Sequence, residues 1–141
     1  MDADERDAFL GDGGTGVVSL SAGRDEPPHS VPVSYGYDAA GTTFYFRLAA
    51  GPGSAKGDLD DRPVTFVTHR ETDDGWRSVV ASGRLESTTD EAAGTDALAG
   101  LDRVHIPYVD VFGRPPEQVA FEFYRLVPDS LNGRKEASTA V

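Results

Sequence analysis

No cysteine occurs in the 141 residues, which excludes disulfides, thiolate metal sites and a cysteine nucleophile. The core must stand on packing alone. No apolar run approaches the ~20 residues needed to span a bilayer. The opening MDADERDAF also lacks the basic and apolar regions of a secretory leader, so neither membrane insertion nor export is expected and the expected location is the cytoplasm. Positive charge is scarce as well: 13 Lys and Arg stand against 24 Asp and Glu, for a net charge of −11. Without a basic stripe to follow a phosphate backbone, nucleic acid is not an expected partner. Lysine is scarcest, confined to Lys56 and Lys135.

Other absences narrow the chemistry. His29, His69 and His105 are scattered without helical pairing, so no metal cage is expected. Serine, histidine and aspartate are present, but no nucleophile-elbow sequence frames a serine, and hydrolase chemistry has no positive support. Gly11, Gly13 and Gly16 have the spacing of a dinucleotide fingerprint. That motif needs a strand before it and a helix after it, and here the order is reversed, so the glycines read as a helix stop and a turn into a strand.

The acidic residues are spread along the whole chain, as on a solvated surface and not as in a disordered tail. Such a surface suits a salt-rich cytoplasm, because salt screens its self-repulsion. Desalting is therefore expected to cost stability.

DADERDAFLGDG reads as a short helix with acids in its first turn, an apolar face at Ala8, Phe9 and Leu10, and a stop at Gly11 and Gly13. Six runs rich in β-branched and aromatic residues follow: GVVSLSA, HSVPVSYGY, TTFYFRL, PVTFVTH, WRSVVASGRLES and QVAFEFYRLV. They are expected strands. Asp38 to Gly41 and Glu71 to Gly75 are polar, glycine-ended connections of hairpin length. Helices are expected from Ser54 to Asp61 and from about Thr89 to Leu101, the second with capping-box spacing at Thr88 and Glu91. Pro32 cannot donate to a ladder, so the second strand should have an open side there, a place for a ligand. Six sequential strands with few helices bury their aromatics best as a small barrel. One domain over residues 1–130 and a loose tail over 131–141 complete the expected organisation.

One basic cluster stands out against the acidic background. Arg47 ends an extended run, and Gly51, Pro52 and Gly53 then favour a turn into a helix that Ser54 can cap, with Lys56 in its first turn. Exposed N–H groups at a helix start, joined by two cations, would hold a phosphate. A serine-capped helix with Lys56 paired to Asp60 explains the same residues without a ligand. Trp76 and Arg77, taken alone, read as a half-buried aromatic beside an exposed cation.

Taken together, VPVSYGY, FYFR, GSAK with Leu59 and Pro63, RSVVASGRLE and YRLVP resemble the pyridoxamine 5′-phosphate oxidase-like, FMN-binding split-barrel family, in its shorter, nitroimidazole-reductase-like branch. The resemblance implies a mainly β fold, a six-stranded antiparallel split barrel with small peripheral helices. It also implies a homodimer with FMN in a groove at the interface, for which Val109, Val111, Phe112 and Phe121 to Tyr124 supply apolar area. Carried over, Ser54 and Lys56 would meet the flavin phosphate with Arg47 alongside, and Val33, Ser34 and Tyr35 would lie against the isoalloxazine ring. Arg77 and Ser78 fall where the family places an Arg-Gln pair that touches the cofactor. No side chain is expected to act as acid or base. Ala55 stands where members that oxidise vitamin B6 carry a second basic residue, and their basic substrate signature before the last strand is missing. The implied function is thus an FMN-dependent oxidoreductase of unassigned substrate. The alternatives are the deazaflavin cofactor F420, and a non-catalytic barrel that binds or senses flavin or haem.

Overall fold

The computed structural model describes residues 1–49, 59–88 and 121–136. Over these, one helix, α1 (Ala3–Leu10), precedes seven strands: β1 (Gly13–Leu20), β2 (His29–Asp38), β3 (Thr43–Ala49), β4 (Pro63–Thr72), β5 (Gly75–Thr88), β6 (Phe121–Leu126) and β7 (Ser130–Glu136). All pairings are antiparallel. The ladder runs β1–β2–β3–β6–β5–β4, and β4 and β1 pair to close it, so the first six strands form the expected barrel. The helix expected over 89–101 lies outside the described residues. Of the helix expected from Ser54 to Asp61, the described end contains a turn at Asp60 and Asp61.

Alternation explains the closure. Val33, Tyr35 and Tyr37 of β2, Phe44 and Phe46 of β3, Val64 and Phe66 of β4, and Val79, Ala81 and Leu85 of β5 are all buried. They point inward at every second position. Tyr35, Phe44, Phe46 and Phe66 form the centre, with the Phe66 ring 5.2 Å from Tyr35, 5.3 Å from Phe44 and 5.1 Å from Phe46. These separations are those of favourable tilted and edge contacts.

The glycines of β1 answer to this core. Gly11 does stop α1, at φ +58°, with its N–H donating to the Asp7 carbonyl. Gly13, read from sequence as part of the same stop, is instead within the strand, which starts three residues before the expected run at Gly16. A Cβ on Gly16 would lie 2.6 Å from the Phe66 ring and 2.6 Å from the Val67 carbonyl oxygen. Glycine is there because the ring needs the space.

α1 is pinned against this core by Phe9 and Leu10, whereas Ala8 is exposed. Asp2 caps its start by accepting from the Glu5 N–H at 2.8 Å. At its end the free carbonyls are taken up by the barrel: the Tyr35 hydroxyl donates to Leu10 O at 3.0 Å and the Arg70 guanidinium to Phe9 O at 2.8 Å. Arg70 also lies over the Phe9 ring, 4.3 Å from its centre.

The Tyr37 hydroxyl donates to the Asp7 carboxylate at 2.6 Å. Burial, and then the hydrogen bond to Asp7, push the Tyr37 phenol up to about 12, and burial also raises Tyr35. In the unfolded chain both phenols ionise near ~10. The unfolded state therefore sheds protons first as pH rises, so stability holds below that value and falls between about pH 10 and 12. Denaturant midpoints measured across this range should show the decline, and Tyr37→Phe should flatten it. An unchanging parent midpoint would contradict the linkage.

The segment after β6, read as a loose tail, is a strand as far as Glu136. β7 pairs with β5 over Trp76 to Ser82, opposite Glu136 to Ser130. Only Leu131 packs against the core, so the strand is held by its ladder, by Met1 against Gly133 and by Lys135 Nζ on Glu5 at 3.0 Å. Its side chains carry little apolar signal because few of them face the core.

Candidate functional site

β2 is where the barrel opens. It pairs with β1 along its length from His29 to Gly36, but with β3 only over Gly36, Tyr37 and Asp38. Main-chain polar groups along an antiparallel strand point alternately to its two sides. The Tyr37 N–H donates to Asp12 O at 2.9 Å, which fixes the odd-numbered residues toward the β1 side. The even-numbered ones, Pro32, Ser34 and Gly36, then face β3. Gly36 meets Tyr45 there, whereas no described strand lies opposite Pro32 or Ser34. The proline thus sits where no described ladder requires a donor, as its chemistry demands.

This orientation separates the three β2 residues expected at the ligand. Val33 and Tyr35 direct their side chains into the core, at 6% and 0% exposure, and their main chain toward β1. Ser34 turns its main-chain groups to the opening and its hydroxyl to the outer face. Extending the Gly36–Tyr45 register by two residues would set Ser34 against Arg47, but the strands part first. Arg47 flanks the same opening from β3, its guanidinium carbon 5.2 Å above the centre of the Phe123 ring on β6. Ser54 and Lys56, the expected phosphate turn, lie outside the described residues.

Arg77 and Ser78 are elsewhere on the barrel. They line a cavity of ≈ 170 Å³ together with His69, Trp76, Arg134 and Glu136. Ser78 pairs with His69 on β4 and Arg134 on β7. The β1–β4 register, carried two residues past Val17–Val67, brings Thr15 level with His69, and the Thr68 hydroxyl donates to Thr15 O at 2.7 Å. Thr15 in turn pairs with Ser34. Ser34 and Ser78 therefore share one outward row, three inter-strand steps or about 14 Å apart.

Two further rows run parallel to it. Val80, Val67, Val17 and Pro32 form an apolar row, and Ser82, Thr65, Ser19 and Ser30 a row of hydroxyls. In the second, Thr65 Oγ1 is 3.3 Å from Ser82 Oγ and Ser19 Oγ is 2.9 Å from Ser30 Oγ. Twelve successive outer positions over four strands thus carry no Asp, Glu, Lys or Arg, in a chain with 26% charged residues. Val17 is 38% exposed in the single chain. The sheet face is thus uncharged on an otherwise acidic protein.

Of the other cavity residues, the sequence reading gave His69 and Trp76 no ligand role and did not single out Arg134 or Glu136. The His69–Ser78 pairing follows from the two-residue Asp73-Asp74 turn and could have been counted back from it. Arg134 could not, because β7 was not foreseen. Among the described residues there is no group of three potential metal-ligating side chains, and no helix is long and apolar enough to cross a membrane.

The fold recurs among solved proteins. An FAD-binding protein from Mesorhizobium loti is similar with a TM-score of 0.67 at 20% identity, over 97% of this chain and 96% of the other. The FAD binding protein from Mycobacterium smegmatis is similar with a TM-score of 0.63 at 21% identity, over 97% and 98%. An FAD and heme binding protein from the same organism gives 0.62 at 16% identity, over 97% and 72%. Comparison with curated proteins gives no match. The family model described as pyridoxamine 5′-phosphate oxidase matches residues 2–135, nearly the whole sequence, and the chain belongs to that family.

Proposed function

We propose that this protein binds FMN at the opening of the barrel, in a homodimer, and acts as an oxidoreductase. The observation that carries the proposal is the parting of β2 from β3 at Ser34. It leaves a strand edge that no described strand pairs with, beside the Arg47 guanidinium and next to an uncharged face. These groups fit a flavin. Its pyrimidine edge presents both donors and acceptors, which a free strand edge can satisfy, and its ring system needs an apolar wall. Ser34 would orient that edge, while Arg47, with Ser54 and Lys56, would neutralise the phosphate. When bound, the flavin supplies hydride transfer; the protein supplies position and exclusion of water.

The uncharged rows support a dimer. Pairing two copies through them would remove Val17, Val67 and Val80 from water and would set the Ser34 end of each row beside the partner. Of the residues first assigned to the interface, Val109, Val111 and Phe112 lie outside the described residues, Tyr124 is buried within the barrel, and Phe123 sits beneath Arg47. Because Ser34 and Ser78 are about 14 Å apart in one chain, a single flavin ring meeting both would take them from different copies.

Anaerobic mixing of flavin-loaded protein with NADH or NADPH tests the activity: bleaching faster than free flavin is expected. Stable binding with no accelerated bleaching would favour the non-catalytic reading, which the FAD and heme binding neighbour keeps in view. Competition between FMN and F420 separates those two cofactors.

A further inference from the structure

A second cavity, of ≈ 370 Å³, lies at the end of the barrel beyond Leu20, and its size is that of a small-ligand site. Leu20 pairs with His29 on β2 and with Val64 on β4, so these three form the last inward layer of the barrel on that side. Ala22, Pro27 and Arg62 are the next inward positions along the same three strands, and with His29 they line the cavity. The Ser21 N–H donates to Pro63 O at 3.2 Å, so the β1–β4 pairing runs on past Leu20. Pro63 has no N–H to return to Ser21 O. The Arg62 guanidinium takes that place, donating to Ser21 O from Nε at 3.1 Å and from Nη2 at 2.6 Å, which fixes a cation at the cavity wall.

Two further groups line the same space. Among the described residues, one side-chain polar atom is buried without a hydrogen-bond partner, and it is Nε2 of His29. A buried polar atom left in that state calls for a partner. Glu26 comes from the turn between β1 and β2, where its N–H donates to Gly23 O at 3.0 Å and its Oε2 lies 3.4 Å from where a Cβ on Gly23 would stand. Among the described residues no ion pair joins Glu26 to Arg62. One cavity thus carries a fixed cation, a carboxylate not paired with it, and an unsatisfied imidazole nitrogen.

We infer that this cavity binds a small α-amino acid. The carboxylate would accept from His29 Nε2–H and lie beside Arg62, and the ammonium would donate to the Glu26 carboxylate. A short side chain would pack on Ala22, Pro27 and Pro28. A simple anion would meet Glu26 as a like charge, and a simple cation would meet Arg62. A metal ion would find one imidazole and one carboxylate beside a guanidinium, too few ligands and the wrong neighbour. A ligand that carries both charges satisfies all three groups at once.

The test reads the imidazole nitrogen itself, by ¹⁵N NMR of the full chain in molar salt. L-alanine is expected to shift the His29 Nε2 resonance saturably and to leave the other two histidines unmoved. Acetate, which lacks the ammonium, should bind about tenfold more weakly, the loss of one charge-assisted hydrogen bond. Glu26→Gln, a substitution of an exposed side chain, should weaken L-alanine by a similar factor, with acetate binding and Tm unchanged. No saturable shift at His29 up to the solubility of L-alanine overturns the inference. Acetate binding as tightly as L-alanine, or a Glu26→Gln protein that binds L-alanine like the parent, overturns the assignment to an amino acid. His29 is five positions before Ser34 on β2, roughly 17 Å away, so flavin-free and FMN-loaded protein should respond alike. A protein that takes up L-alanine and retains no flavin would remove the flavin reading and leave this one standing.

Discussion

Gly16→Ala is expected to destabilise the fold by roughly 3 kcal/mol, the upper range for overpacking a core, or about 10 °C in Tm for a chain of this size. The single added carbon would lie 2.6 Å from two atoms of the Phe66 ring and 2.6 Å from the Val67 carbonyl oxygen. The ring cannot retreat, since it packs against Tyr35, Phe44 and Phe46. The carbonyl cannot retreat either, because it belongs to the β1–β4 pairing that closes the barrel. Gly14→Ala is the control: its added carbon would lie 3.3 Å from Tyr35 side-chain atoms only, and a smaller loss is expected. Thermal unfolding of both variants decides the matter. A Gly16→Ala protein as stable as the parent would mean that the barrel does not close through these strands.

Val67→Asp should leave the monomer folded and abolish the proposed dimer. Val67 is at the middle of the apolar row, partly exposed on the outer face, so in a lone chain the aspartate is hydrated and costs about 1 kcal/mol or less in strand preference. In a symmetric pair the same substitution places two unpaired carboxylates in an uncharged interface. Leaving such a charge buried and unpartnered costs roughly 3 kcal/mol or more, enough to raise the dimer dissociation constant by about a hundredfold or more. Retention of flavin should fall with it, since the proposed site draws on both copies. Light scattering in molar salt reads the first effect and flavin absorbance the second. A variant that remains dimeric would place the interface elsewhere.

Much of this molecule could be read before folding. The β-branched and aromatic runs VPVSYGY and TTFYFR marked β2 and β3 as strands, Gly11 ended the helix, and Pro32 marked a side of β2 that no described strand pairs with, for the stated reason, the missing donor. What could not be read depends on partners distant in sequence. The space that Gly16 leaves is for Phe66, fifty residues on, and nothing local to a glycine announces a ring above it. β7 carries a single core-facing apolar residue, Leu131, so its ladder with β5 left no periodic trace. Alternation by itself also implied that Val33 and Tyr35 face the core; the resemblance placed them at the ligand, and the structure leaves Ser34 alone of the three with groups directed to the opening. The uncharged outer rows were hidden for a further reason: each consists of one residue from each of four strands, and only the register assembles them.

Equilibrium binding tests most directly whether the opening beside Ser34 and Arg47 holds a flavin. Protein freed of ligand, incubated with FMN or FAD in molar salt and passed through gel filtration, should emerge with visible absorption bands shifted from those of the free flavin and near one flavin per chain. Emergence without colour, at protein concentrations where light scattering shows two chains together, would mean that no flavin site is there.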